Sequence, residues 1–284
     1  MKKRKQINIV KASGEVAPFD EVKLRRSLER AGAEKILADK IIKEISVQLY
    51  EGISTGEIYR KAFDMLRSYS RPLAAKYRLK NAIMDLGPSG FPFEKYVSEL
   101  LKSQGFETIT NQFVQGKCVT HEVDVIATAN GDINYIECKY HNQRGLVCDV
   151  KVPLYIHSRF MDLKERQSLL KENQEKIFRG WVVTNTKFSE DAVKYGLCSG
   201  LELIGWDFPT GRSLRQMIDI TGLHPITCLT SLSQREKQLL LDDKVVLCRE
   251  LQNNSALLVQ IGIKHNRLKT VLDEAQNLCT VNTI

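Results

Sequence analysis

No stretch of this 284-residue chain approaches the roughly 18 consecutive apolar residues that a spanning helix needs, so hydropathy offers no membrane segment. The basic start, Met1-Lys2-Lys3-Arg4-Lys5, leads into a short strand pattern and lacks the apolar stretch of a secretory signal. The seven cysteines contain no C-x-x-C, and their odd, scattered occurrence argues for reduced thiols in a cytoplasmic setting. Internal repeats and low-complexity tracts are absent too, which leaves a solenoid or a disordered tail without support. What is present is apolar content ample for packed cores and a length that suggests two domains with room for a small third. A formal net charge of +8 and a pI near 9.0 suit a polyanionic partner, with nucleic acid the economical choice.

Residues 121–141 carry the strongest chemical signal. Two short apolar runs flank Asn130-Gly131, the turn signature of a β-hairpin. Each run carries a carboxylate where a half-buried strand should stay apolar: Asp124 in the first and Glu137 in the second. Lys139 follows Glu137 by two residues, so the pleat places both on one face. Burying unpaired charge costs roughly several kcal/mol, and such a group is tolerated most easily when something binds it. Paired carboxylate oxygens suit Mg²⁺, and a neighbouring lysine suits a phosphate or a bound water. Two C-x-x-H pairs, Cys118/His121 and Cys138/His141, have a superficial zinc spacing. Residues three apart on a strand face opposite ways, however, so neither pair chelates well unless the strand ends there.

Asp124 followed by Glu137-Cys138-Lys139 resembles the PD-(D/E)XK nuclease superfamily, most closely its Mrr-like restriction-endonuclease branch. The resemblance extends over residues 91–210: a helix from Phe93 to Lys102, a strand from Phe106 to Val114, the acidic hairpin, an amphipathic segment over 153–171, the run Gly180-Trp181-Val182-Val183-Thr184-Asn185, a helix opened by Phe188-Ser189-Glu190, and the strand Leu201–Ile204. It implies a metal, Mg²⁺ or Mn²⁺, held by Asp124, Glu137 and the main-chain carbonyl of Cys138, with Lys139 orienting the attacking water. Glu94 stands where many members add a first-helix glutamate, and Glu99 lies on the same helix. His141 shares a face with Glu137 and Lys139. The proline usual before the first acid is replaced by Val123.

Residues 7–86 read as a β-hairpin followed by four helices, the last over 72–86. Asp20 is placed to cap the first helix, and Ser54-Thr55-Gly56-Glu57 has the spacing of a capping box. The ordered segments VKxxGxxxPFDxxKLRRSLERAG, LYEGISTGEI and AAKYRLKNAI resemble the ATP-cone, a nucleotide-sensing domain. That resemblance implies binding of an adenine nucleotide, ATP or dATP: Lys11 and Lys23 on phosphates, Asp20 as a further polar contact, Thr55 and Tyr59 seating the base or ribose, and Arg78 at a basic position of the last helix. Lys11-Ala12-Ser13-Gly14 departs from the family's Lys-Arg-Asp-Gly. Taken singly, the lysines also read as solvated surface residues and Thr55 as part of a helix cap.

Gly87-Pro88-Ser89-Gly90-Phe91-Pro92 breaks the chain after the cone. Beyond His224-Pro225 come three short helices, over 233–241, 243–252 and 266–278. The turn in Leu257-Leu258-Val259-Gln260-Ile261-Gly262-Ile263 resembles a helix-hairpin-helix, with plain helical packing an equal reading. The expectation is a multi-domain α/β protein: an ATP-cone over 1–88, a nuclease core over 89–222 and a helical tail over 223–284. Its expected activity is nucleotide-regulated, metal-dependent cleavage of DNA, with a homo-oligomer as the regulated form. Two alternatives remain, a non-catalytic ATP-responsive DNA-binding regulator and a nucleotide-controlled oligomeric scaffold.

Overall fold

The computed structural model describes residues 6–252 and 254–279; the basic segment 1–5 singled out above lies outside the described residues. In the amino-terminal part, β1 (Asn8–Val10) and β2 (Val16–Pro18) form the expected antiparallel hairpin, with Gly14 at a φ of +84° in its turn. A third strand, β3 (Ile53–Ser54), adds parallel to β1 through the Ile9–Ile53 pair. At two residues it is too short to show alternation. Helix α1 (Glu21–Arg30) begins at Asp20, whose carboxylate accepts the Lys23 N–H at 3.1 Å. Helix α2 (Lys35–Val47) follows, and α3 (Thr55–Tyr69) is capped by Ser54 Oγ, which accepts the Glu57 N–H at 3.0 Å. The single helix expected over 72–86 is two, α4 (Arg71–Tyr77) and α5 (Leu79–Met84), because Arg78, at φ −76° and ψ −7°, tightens the chain between them. Leu28, Ile41, Ile45, Ile53 and Leu66 centre the cone's own core.

The middle of the chain is a five-stranded mixed sheet in the order β10-β8-β6-β5-β4. Strands β4 (Glu107–Gln115), β5 (Thr120–Ala129) and β6 (Asp132–Lys139) form an antiparallel meander, and the turn between β5 and β6 holds Asn130 at φ 52° and Gly131 at φ 86°. Both central residues at positive φ is what a tight hairpin turn requires, and Asn-Gly meets that demand at least steric cost. The chain then makes a short strand β7 (Val147–Cys148) and helix α7 (Lys151–Gln167) before β8 (Phe178–Thr184) pairs parallel to β6. Strand β9 (Lys187–Phe188) pairs with β7, helix α8 (Glu190–Cys198) follows, and β10 (Glu202–Ile204) pairs parallel to β8.

One face of the sheet is covered by α6 (Phe91–Lys102), whose Phe93, Tyr96, Val97, Leu100 and Leu101 pack with Val125, Ala127, Ile136, Trp181 and Val183. The other face packs Tyr135, Phe178 and Val182 against Ile156, Phe160 and Leu163 of α7. The tail comprises α9 (Leu214–Thr221), α10 (Gln234–Asp242), α11 (Cys248–Gln252), α12 (Ala256–Gln260) and α13 (His265–Cys279). The helix expected over 243–252 starts only at Cys248, since Lys244 takes a φ of 60° and Leu247 bridges to Pro225. Gly262, at φ 88°, ends α12 and turns the buried Leu258 and Ile263 inward, which is a packing role.

The core beneath α6 does not stop at the five-stranded sheet. Leu79, Ala82, Ile83 and Leu86 from the end of the cone and Ile226, Leu240, Leu247, Leu251 and Val271 from the tail belong to the same buried cluster. Two buried hydrogen bonds cross these joins: Tyr96 Oη donates to the Leu223 carbonyl at 2.6 Å, and Thr227 Oγ1 to the Ala82 carbonyl at 2.7 Å.

Candidate active site

Strand β5 carries Asp124 at the point where its ladder with β6, which runs from Ala129–Asp132 to Val125–Ile136, ends. Val125 packs into the α6-side core and Val123 into the α7-side core, although a regular pleat would keep residues two apart on one face. The strand therefore turns over at Asp124. Its carboxylate leaves the ladder geometry and accepts the main-chain N–H of Cys138 at 2.7 Å. In an extended strand a residue's N–H and C=O point to the same edge, so the Cys138 carbonyl faces the edge where Asp124 stands. Glu137 lies beside this bond on β6, and Lys139 is exposed at the strand's end.

Three carboxyls share this region. Burial raises the Asp124 carboxyl above its ordinary range, against the pull of the Cys138 N–H and Arg159. Burial likewise raises Glu137, the charge of Asp124 adds to it, and Arg159 opposes. Glu94, in the first turn of α6, is pushed up to about 7 by burial and then by the charges of Asp124, Glu122 and Glu137. Glu94, and not Glu99, thus feels the two hairpin acids; Glu99 is held at 2.8 Å by both Lys102 and Arg249. Glu122 contributes charge that the sequence pattern did not flag.

The largest addition to the sequence reading is Arg159. From α7 it reaches Glu137 at 2.8 Å and also donates to the Glu122 carbonyl, so it supplies a counter-charge to the buried acid. Its only sequence signal was its place in the amphipathic segment over 153–171. The main chain of His141 is clamped by Asn185, which accepts the His141 N–H at 2.9 Å and donates to its carbonyl at 2.7 Å. Of the sulfur–imidazole pairs, His121 is engaged by Asp162 at 2.7 Å, Cys138 is buried and Cys118 is exposed. Among the described residues no group of three or more His, Cys, Asp and Glu side chains is placed to hold a metal. A cation at Asp124 and Glu137 would have at most two carboxylates with main-chain oxygen, the remainder being water or substrate, and Mg²⁺ accepts such a set. Carboxyls raised by burial, with the charge of Asp124 adding to Glu137 and both adding to Glu94, fit a divalent cation, which favours their ionised forms.

Three family models match the chain in succession: the ATP cone domain over residues 7–81, a restriction endonuclease model over 88–208 and the AF1548-like C-terminal model over 224–279. An uncharacterized protein of Archaeoglobus fulgidus is 35% identical over 187 residues, which is 64% of this chain and 99% of that protein. The chain belongs to the AF1548-like family. A crystal structure titled as a protein of unknown function, AF1548, matches with a TM-score of 0.55 at 33% identity, covering 67% of this chain and 98% of that one.

In this family member the ATP-cone adjoins a cavity of about 840 Å³, within the ~300–1,000 Å³ typical of small-molecule sites. Lys11, Thr55 and Tyr59 line it, together with the first turn of α3. Tyr59 is stacked on Tyr77 with ring centroids 5.0 Å apart, and its buried hydroxyl lies beside the Asn81 side chain. Lys23 and Asp20 do not line the cavity. Asp20 is spent on capping α1, and Lys23, 79% exposed, pairs with it at 3.6 Å. Arg78 pairs with Asp85 at 2.5 Å. No helix among the described residues is long and apolar enough to cross a membrane.

Proposed function

We propose that this chain is a nucleotide-regulated, divalent-metal-dependent endonuclease that hydrolyses phosphodiester bonds in DNA. The observation that supports it most is the convergence of Asp124, Glu137 and Glu94 as partly buried carboxyls, each raised first by burial, with Asp124 adding to Glu137 and both adding to Glu94, beside the strand end that presents Lys139. Bound there, Mg²⁺ or Mn²⁺ would polarise the scissile phosphate and lower the pKa of water. Asp124 and Glu137 are the residues that would hold it, with the Cys138 carbonyl. Lys139 donates a hydrogen bond that orients the attacking water and faces the charge gained by the phosphoryl oxygens. Glu94, near 7, is poised to hold or release a proton at the edge of the site. Water gives up a proton to bulk solvent as it adds to phosphorus, the bond to the leaving oxygen breaks, and that oxygen takes up a proton from solvent. Glu137 must first leave Arg159, which frees the guanidinium for phosphate.

Binding of ATP or dATP in the cone, with two protomers combining to cut both strands, completes the reading as a division into cone, nuclease and tail. Cleavage of linear, supercoiled and single-stranded DNA with Mg²⁺ or Mn²⁺ tests it. Turnover in excess EDTA, or full turnover by Glu137→Ala, sinks it. One observation favours a second reading, a DNA-binding regulator without turnover: Arg159 already satisfies Glu137. Arg159→Ala separates the two, since it leaves Glu137 available to a cation in an enzyme and only weakens DNA binding in a regulator.

A further inference from the structure

The cavity beside the cone is not walled by the cone alone. Its far side is built from the nuclease half: Arg144 and Gly145 in the loop after β6, and Lys187 on β9. With Lys11 and Lys80 these make four cations against one acid in the lining, Glu15, which is already paired with Lys11 at 2.7 Å. Arg144 has no acidic partner among the described residues, and Lys187 has only Asp207 at 4.0 Å. Desolvation, and then the like charges of Lys187 and Arg144, hold the Lys80 ammonium below its ordinary pKa, against the opposing charge of Asp207. The cations are therefore close enough to repel. The loop touches the cone's hairpin turn directly, since a Cβ built on Gly145 would lie 3.7 Å from the Ala12 carbonyl oxygen. The first turn of α3, a 15-residue helix, opens on the same space with Ser54, Thr55 and Gly56. A helix N-terminus with convergent cations is an anion site.

Resting on the reading of the cone as a nucleotide site, we infer that the nuclease half completes it: Arg144 and Lys187 bind the phosphates of the nucleoside triphosphate across from Lys11. The bound nucleotide then joins the cone to the segment that connects the two carriers of active-site groups. That segment leaves β6 just after Glu137 and Lys139, passes the Asn185 clamp on His141 and the β7–β9 pairing, and enters α7, which holds Arg159.

Calorimetry on the full chain compares ATP with adenosine for wild type, Lys11→Ala, Arg144→Ala and Lys187→Ala, each checked for an unchanged melting temperature. Loss of one charged phosphate contact is expected to weaken ATP binding about ten- to a hundred-fold in Arg144→Ala and Lys187→Ala while leaving adenosine affinity within two-fold, roughly. Arg144→Lys is expected to recover part of the loss. If Lys11→Ala weakens ATP binding but both nuclease-half variants bind like wild type, the completion by the nuclease half is wrong and the cone site stands. If the wild-type chain binds no ATP, the nucleotide reading falls and this inference with it. Equal losses for ATP and adenosine would also overturn it, since they would mark a change in cavity shape and not in phosphate contact.

Discussion

The two candidate sites are opposite in charge and opposite in how they are built. The hairpin site gathers acids in partly buried positions, and its one close counter-charge is Arg159 on Glu137. The cone cavity gathers cations around open space, with Glu15 the one acid in its lining. Each is a local imbalance that folding alone does not reward, because like charges brought together raise the energy of the empty site. Asp124 and Glu137 stand on neighbouring strands of the sheet, and Glu94 reaches them from α6 packed on its face. The cations come from four separate segments whose spacing depends on how the cone and the nuclease sit together. A site of the first kind suits chemistry that needs fixed geometry, and one of the second kind suits sensing.

The strongest way to break this contrast is at Glu137. Glu137→Ala is expected to lower DNA cleavage by about a thousand-fold or more, as loss of several kcal/mol of charge stabilisation would give. Lys139→Ala is expected to lower it about 10²–10³-fold without altering metal affinity, which titration calorimetry with Mn²⁺ separates from the kinetic loss. On the basic side, Lys11→Ala is expected to weaken ATP binding by about 1.5–3 kcal/mol in the full chain, measured by the same method.

A smaller effect tests the raised carboxyl of Glu94. The Glu94 carboxyl ionises near 7 in the folded protein against an ordinary value of 4.5, so the unfolded chain loses its proton first as pH rises. Between about 4.5 and 7 the native state then binds more protons than the unfolded state, and this group's contribution to stability falls with rising pH and levels off above 7. A bound cation reverses the balance by favouring the ionised form, so Mn²⁺ affinity is expected to rise with pH up to about 7, by at most about ten-fold per unit. Glu94→Gln is expected to flatten both profiles; unchanged profiles would remove Glu94 from the site. The smallest effect is expected at the exposed pair Lys117–Glu165, where Lys117→Ala should leave the melting temperature indistinguishable from that of the wild type in a thermal melt.

The acidic hairpin was legible because everything that forms it is local. Asn130-Gly131 dictates the turn, the turn dictates the register, and the register puts Glu137 next to Asp124. The α/β fold class and the order of cone, nuclease and tail were legible for a similar reason, since their motifs are contiguous. Arg159 was not, because a guanidinium on an amphipathic helix looks like any solvated arginine until the helix docks on the sheet. Arg144 and Lys187 were still further from reach, lying 43 positions apart, one in a loop and the other on a two-residue strand, neither of which carries a periodic pattern. Lys23 shows the converse. Its place in a matching segment suggested phosphate contact, yet helix α1 turns it to solvent beside Asp20. The split at Arg78 and the two-residue β3 escaped because neither leaves a signature longer than one turn or one pair.

The core shared by Ile83, Leu86, Tyr96 and Leu247 has a consequence for how such a protein can change over generations. Three sequence families lie end to end, but the cone's last helix is upholstered on one side by the tail and by α6. Recombination that replaced the cone at the Gly87–Pro92 boundary would import a helix whose outward face had been selected for water. It would bare apolar surface worth roughly 1.5–3 kcal/mol for each large side chain left without a partner. A cone can be inherited here only together with the surfaces that receive it, and loss of the Thr227 hydroxyl, which donates to the Ala82 main-chain carbonyl, is expected to be resisted whatever side chain stands at position 82.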